Sequence, residues 1–276
     1  MNPEGILHHP TVFHLGPLEL TGFGLAVLAG FAIAQFVCQR ELWRRGQDTE
    51  AAAMPDVTMA ALIGTLVGAK TYYAVLTGDL GSIFSRGGFV FWGGVMGGVP
   101  LCWAIIKYRK LNFLRFADVA GMAMAAGYSV GRSGCWAVGD DYGRPWNGFL
   151  ATRFPEGAPP STVSVMSSQF GATFPAGTAG DLVVAVHPTQ LYEVVLGFVM
   201  FAVLWRLRKH TRQAGWLFGA WCMLAGVERF IIEFYRAKDD RLILGFTTAQ
   251  VIAVTVFTIG VALLVARRAQ ARVASR

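Results

Sequence analysis

The sequence predicts an all-α integral membrane protein with seven transmembrane helices, and three observations carry that prediction. Of 276 residues, 54% are hydrophobic and only 15% are charged, whereas a soluble domain of this size carries about a quarter charged residues. The charges are not spread evenly: they sit in short clusters separated by apolar stretches. Seven of those stretches approach the ~20 residues that a helix needs to cross the hydrocarbon layer.

The first stretch lies near Leu20–Cys38 and is followed by the basic cluster Arg40, Arg44 and Arg45. No Lys or Arg precedes Arg40, so the positively charged segment of a cleavable signal is lacking and the first helix is expected to remain as a span. The second and third stretches, Val57–Thr77 and Phe89–Ile106, lead into Lys107, Arg109, Lys110 and Arg115. The fourth, Phe116–Cys135, precedes the one long connection, residues 137–186, which is rich in Gly, Pro, Ser, Thr and Ala. A connection of that length is either an ordered cap over a site or a flexible loop. Thr189–Trp205, Gly215–Tyr235 and Phe246–Ala266 complete the set. The chain reads as a single membrane domain over residues 1–276, and no internal repeat suggests an inverted-repeat transporter.

Orientation follows from the bias of Lys and Arg toward the cytoplasmic side. Fifteen of the 24 fall on the connections after the first, third, fifth and seventh stretches. Seven, namely Arg86, Arg132, Arg144, Arg153, Arg236, Lys238 and Arg241, fall on the other side. Lys70 and Arg229 lie within stretches. The N-terminus is therefore expected outside and the C-terminus, ending at Arg276, inside, as an odd number of spans requires. The formal net charge of +7 belongs to helix ends that meet anionic headgroups, so no nucleic-acid partner is expected. Four cysteines show no CxxC spacing and no histidine cluster accompanies them, so no metal site is expected. Cys38, Cys102 and Cys222 read as small packing residues.

Polar groups inside or bordering apolar stretches are expensive and mark function or a buried partner. Lys70, Gly93-Gly94, Arg132, the His187–Gln190–Glu193 set and the Glu228–Arg236 segment all fall in the outer halves of their stretches by this topology. The cytoplasmic halves hold nothing comparable, which argues against a channel or carrier. Arg229, Glu233 and Arg236 are spaced to share one helical face. Two readings of them are open: a salt-bridged stripe that locks helices together, or a site for an anionic headgroup, whose phosphate suits the forked guanidinium. The same pair of readings applies to "GYSVGRSGCWAVGDDYG", Gly127 to Gly143, where glycines surround Arg132 and Asp140 and Asp141 follow.

Four segments together resemble the prolipoprotein diacylglyceryl transferase family. That family's signature, Gly-Arg-x-Gly-Asn-Phe-x-Asn-x-Glu-x-x-Gly, corresponds to the run from Gly131-Arg132 to Asp140 and Gly143. "HPTQLYE", His187 to Glu193 with Gln190 and Tyr192, resembles its next segment. "ERFIIEFYR", Glu228 to Arg236, and "GAKTYYAV", Gly68 to Val75, resemble two more. The resemblance covers nearly the whole chain. It implies transfer of the diacylglyceryl group of phosphatidylglycerol to the lipobox cysteine thiol of a prolipoprotein, with glycerol 1-phosphate released and no cofactor. It implies a multi-pass protein of the bacterial inner membrane, an extracytoplasmic cap and a lateral lipid cavity.

By the same resemblance, Arg132 and Arg229 would stabilise the phosphate, Glu233 would orient Arg229, and Asp140 would stand in for the signature glutamate. Lys70, Gly93, Gly94, Gly143, Gln190, Tyr192, Glu193 and Arg236 would contribute to the substrate site. The chain departs from the family in several places. Trp92-Gly93-Gly94 replaces a His-Gly-Gly run, Cys135 and Val138 replace two asparagines, and Phe23-Gly24 replaces Tyr-Gly. His187 is then the remaining candidate for proton transfer, or else a residue capping the helix before Pro188. Cys135 is either a nucleophile or acceptor, or a small residue filling an asparagine's place. Trp92 also fits an interfacial aromatic belt. Beside the transferase stand two alternatives, a paralogue with another acceptor and a non-catalytic phospholipid-binding protein.

Overall fold

The computed structural model describes residues 5–16, 18–85, 88–210, 212–237, 241–243 and 245–273. Arg86, Lys238 and Arg276, used above to set orientation, lie outside the described residues, as does the side chain of Arg241. The chain clusters into two compact units, Ala34–Ala120 and a larger one formed by Met1–Ile33 with Gly121–Arg276.

Among the described residues, seven long helices lie over the seven apolar stretches. They are α1 Gly22–Arg44, α2 Asp48–Thr77, α3 Phe91–Tyr108, α4 Phe113–Val138, α6 Thr189–Leu207, α7 Trp216–Ile232 and α8 Thr248–Val273, with the short α5 at Val163–Phe170. By length and composition four of them, α1, α2, α6 and α8, qualify as candidate membrane spans. α7 has only 17 residues, and glycines and polar groups dilute α3 and α4, which lowers their apolar content without changing their helical form. Two expected starts differ. Leu20 belongs to a strand, because β2 Val12–Leu15 and β3 Leu18–Thr21 form an antiparallel hairpin ahead of α1. Phe246 and Thr247 form β6, paired with β5 Arg241–Ile243 before α8 begins.

In the smaller unit, α2 and α3 are joined through glycines four apart on each helix, Gly64 and Gly68 facing Gly93 and Gly97. A Cβ at Gly64 would stand 2.6 Å from the Gly97 carbonyl oxygen, and one at Gly68 would collide with the Gly93 carbonyl. Only hydrogen at these positions lets the two backbones meet, the arrangement by which helices associate in lipid, where apolar burial gives little drive. At the end of α1, buried Glu41 accepts from Arg45 at 2.9 Å and from Arg44.

In the larger unit, residues 137–186 are folded rather than loose. β4 Thr152–Arg153 pairs in parallel with β1 Ile6–Leu7. Tyr142, Phe154, Val163, Met166, Val184, Val186 and Ala237 form one buried cluster. Phe154 is fully buried and stacks on Tyr142 with ring centroids 5.2 Å apart. Burial of side chains of this size contributes about 1.5–3 kcal/mol each, which is how so glycine-rich a segment holds one shape.

Candidate functional site: an arginine–carboxylate nest

The end of α4, the start of α6 and the end of α7 bring three arginines and three carboxylates together in the larger unit. Arg132 sits one helical turn after Tyr128 on α4, so both point the same way. Arg132 pairs with Glu193 through one guanidinium nitrogen and with Asp141 through the other, the latter at 2.9 Å. Arg229 reaches Glu233 at 2.6 Å and Glu193 at 3.7 Å. Arg236 bonds the other oxygen of Asp141 at 2.6 Å and lies 4.0 Å from Glu233. Glu193 and Glu233 are buried, with 1% and 0% of their side chains exposed, whereas Asp141 is 41% exposed. Buried charges of this kind persist only when paired, and the pairing is mutual across the three helices.

The α7 end differs from the sequence expectation, which put Arg236 on the helical face of Arg229 and Glu233. α7 stops at Ile232, Glu233 is its C-cap, and Arg236 lies beyond it. The ladder tightens there: the Phe234 and Tyr235 N–H groups bond the carbonyls of Ile231 and Ile232, three residues back. Past that turn Arg144 takes the Tyr235 carbonyl through its backbone N–H and the Arg236 carbonyl through Nε. Gly143 forms an antiparallel bridge with Arg236. A Cβ on Gly143 would lie 2.7 Å from that of His187 and 2.9 Å from a Thr189 methyl, so the bridge requires glycine here.

The first turn of α6 holds the acidic pair in place. The Thr189 hydroxyl donates to the Asp141 carbonyl at 2.8 Å, and the buried Gln190 amide donates to the Asp140 carbonyl. Asp141 is thereby kept at φ 56°, a left-handed conformation uncommon outside glycine. Burial, then the Asp141 charge, pushes the Asp140 carboxyl up to about 6, and its Oδ1 has no hydrogen-bond partner. Partial burial opposes the charge on Asp141, but the Arg236 and Arg132 guanidiniums outweigh it and hold that carboxyl well below the usual carboxylate range.

His187 does not cap α6, whose N-cap is Pro188 with no side-chain capping bond. Its ring stacks on Trp146 with centroids 4.3 Å apart, and its Nδ1 is 3.2 Å from the Tyr192 hydroxyl. Burial lowers its pKa from the ordinary histidine value, which favours a neutral imidazole able to accept a proton. Cys135 is more than a packing residue. Its sulfur accepts from Arg132 at 3.2 Å. Cys135, Asp140 and Asp141 place three potential metal-ligand atoms within 4.8 Å of one another, yet Arg132 and Arg236 already supply the positive charge there.

Lys70, Gly93 and Gly94 belong to the smaller unit. Lys70 donates to the Ser85 carbonyl and lies over the Phe89 ring, 4.6 Å from its centroid. Gly93 and Gly94 are buried in the first turn of α3 against α2. Three members of the nest were not singled out as site residues from sequence. Tyr128 donates to Glu193 at 2.8 Å and has its hydroxyl 3.3 Å from Glu228; its place one turn before Arg132 was the available signal. Glu228 and Asp141 were visible as charges, but nothing in the sequence showed which arginine each would meet.

Four helices long and apolar enough to cross a membrane, among the described residues, mark a multi-pass helical membrane protein, and in its larger unit three arginines meet three carboxylates. Residues 10–266 match the family described as prolipoprotein diacylglyceryl transferase. The phosphatidylglycerol–prolipoprotein diacylglyceryl transferase of Geobacter sulfurreducens is 31% identical over 274 residues, covering 94% of this chain and 96% of that protein. That of Stenotrophomonas maltophilia is 28% identical, covering 94% and 92%. That of Chlorobaculum tepidum is 27% identical, covering 93% and 89%. The chain belongs to the prolipoprotein diacylglyceryl transferase family.

Proposed function

We propose that the chain transfers the diacylglyceryl group of phosphatidylglycerol to the lipobox cysteine of prolipoproteins in the bacterial inner membrane. The observation that carries the reading is the convergence of Arg132, Arg229 and Arg236 in one partly buried nest, together with family membership over nearly the whole chain. In the reaction the thiolate attacks the glyceryl carbon next to the phosphate. A C–S bond forms, the C–O bond breaks, and the electron pair leaves on the phosphate oxygen as glycerol 1-phosphate. Negative charge grows on that phosphate, so prepositioned cations lower the barrier most at that point.

Arg132 and Arg229 stabilise the leaving phosphate, and Glu233 orients Arg229. His187, in which burial favours the neutral form, accepts the thiol proton. Asp140, Gly143, Gln190, Tyr192, Glu193 and Arg236 shape the headgroup site. In the smaller unit, taken by itself, Lys70 and the first turn of α3, with Gly93 and Gly94, offer a positive charge and helix-terminal N–H groups of the kind that suit an anion. The seven long helices cross the membrane with the N-terminus outside, and residues 137–186 form an extracytoplasmic cap.

One observation favours a second reading, a phospholipid-binding protein without turnover: Trp92 stands where the family's histidine is expected. Purified protein with phosphatidylglycerol and a lipobox peptide decides between them. Release of glycerol phosphate with a diacylglyceryl mass on the cysteine is the expected result. Arg132→Ala is expected to lower that rate about 10²–10³-fold, the effect of removing one charge-stabilising donor. Lipid binding without product, under conditions in which a relative turns over, would leave the binding role alone.

A further inference from the structure

Every arginine of the nest has a carboxylate partner, but the partners are not alike. Glu193 and Glu233 are enclosed by the helices, whereas the Asp141 carboxylate is the exposed one, at 41%. It offers one oxygen to Arg132 and the other to Arg236, at 2.9 and 2.6 Å. Two oxygens on one centre, each taking a different guanidinium, is the pattern in which a phosphate would meet the same pair. The Asp141 backbone is pinned through its carbonyl to Thr189, so the side chain can swing on χ1 while the chain stays in place.

We infer that the Asp141 carboxylate is an internal placeholder for the phosphate: it occupies Arg132 and Arg236 in the resting site, gives way to the lipid headgroup, and returns as the phosphate product leaves. The inference rests on the phosphate-binding reading of the nest and assigns a role to a position that the family signature leaves unspecified. A placeholder keeps the arginines oriented and compensated while the site is empty, where an uncompensated buried cation would be costly. It also weakens the hold on product, because the departing phosphate competes with a tethered anion. Binding that applies equally to bound lipid and transition state would lower KM without raising kcat, so self-competition at Asp141 trades affinity for turnover.

The test uses full-length protein in detergent micelles titrated with glycerol 1-phosphate by calorimetry. Asp141→Asn keeps the size of the side chain and removes its charge, and is expected to bind glycerol 1-phosphate about tenfold more tightly, about 1.4 kcal/mol. Asp141→Glu keeps the competing charge and should bind no more tightly than the natural protein. In the transfer assay, the KM of Asp141→Asn for phosphatidylglycerol should fall while kcat does not rise. Unchanged or weaker binding by Asp141→Asn overturns the inference, because a purely structural bridge would loosen the arginines. If Asp141→Asn does not fold, Asp141→Ser is judged by the same criterion. Turnover in the natural protein with no affinity change in Asp141→Asn sinks the placeholder and leaves the transferase. Tighter anion binding with no turnover in any form does the reverse.

Discussion

The two units bring their helices together by opposite means. In the larger unit, α4, α6 and α7 meet through charge: Arg132, Glu193, Arg229 and Glu233 each contact a partner on another helix or a turn away. In the smaller unit, α2 and α3 meet through the absence of side chains, glycine on glycine, with backbones in contact. Both regions carry segments that resemble family motifs, so a motif in this chain is no single kind of statement. A charged residue in a motif needs another charge, and its neighbours in space can be guessed by sign. A motif glycine needs only room, and its partner is whatever backbone fills that room.

The comparison can be broken at Glu193, which touches Tyr128, Arg132 and Arg229 at once. Glu193→Gln keeps the shape and the Tyr128 contact but leaves two arginines short of charge. Removing one partner of a buried pair costs about 3–5 kcal/mol. A correspondingly large drop in stability in a denaturant titration is expected, with transfer activity lost as the arginines reorient. A drop of only a few tenths of a kcal/mol would mean that packing, not charge, joins these helices.

Gly68→Val probes the other side. Its side chain would collide with the Gly93 carbonyl, and forcing volume into a packed interface costs about 1–3 kcal/mol. The expected outcome is a lower thermal midpoint together with loss of lipid-dependent activity, read on the same preparation. Gly131→Ala is the control, since a Cβ there meets nothing within 4 Å. Equal effects of the two substitutions would remove the steric argument for α2 and α3.

The helices were legible because apolar length is a one-dimensional property, readable without knowing what each helix packs on. The charged members of the nest were legible for the same reason: Arg132, Glu193, Arg229 and Glu233 are conspicuous against an apolar background. Their pairing was not. The turn that carries Arg236 past the end of α7 is joined through the Arg236 carbonyl to Arg144, 92 residues away. The hairpin Val12–Thr21 depends on tertiary pairing of short strands that no periodicity announces. The role of Asp141 depends on a positive φ set by Thr189 and Gln190 from another helix.

The smallest effect expected concerns Asp140, and it tests whether the nest's acids are arranged by burial or by partner. Asp140 and Asp141 are neighbours of opposite behaviour: burial pushes Asp140 up to about 6, while two guanidiniums hold Asp141 below the usual range. A carboxyl whose folded pKa exceeds its unfolded value binds its proton more tightly in the fold, so it favours the fold at low pH and loses that advantage as pH rises. For Asp140 the window runs from the ordinary 3.8 to about 6. Asp140→Asn removes the titration, so the difference in thermal midpoint between natural protein and variant should shift in the variant's favour across that window and level off above it. Asp141→Asn should act with the opposite sign, since stability linked to a depressed carboxyl is present at neutral pH and is lost as acid protonates it. If both variants shift in the same direction with pH, the two carboxyls share one environment and the division between a buried acid and an arginine-bound one fails.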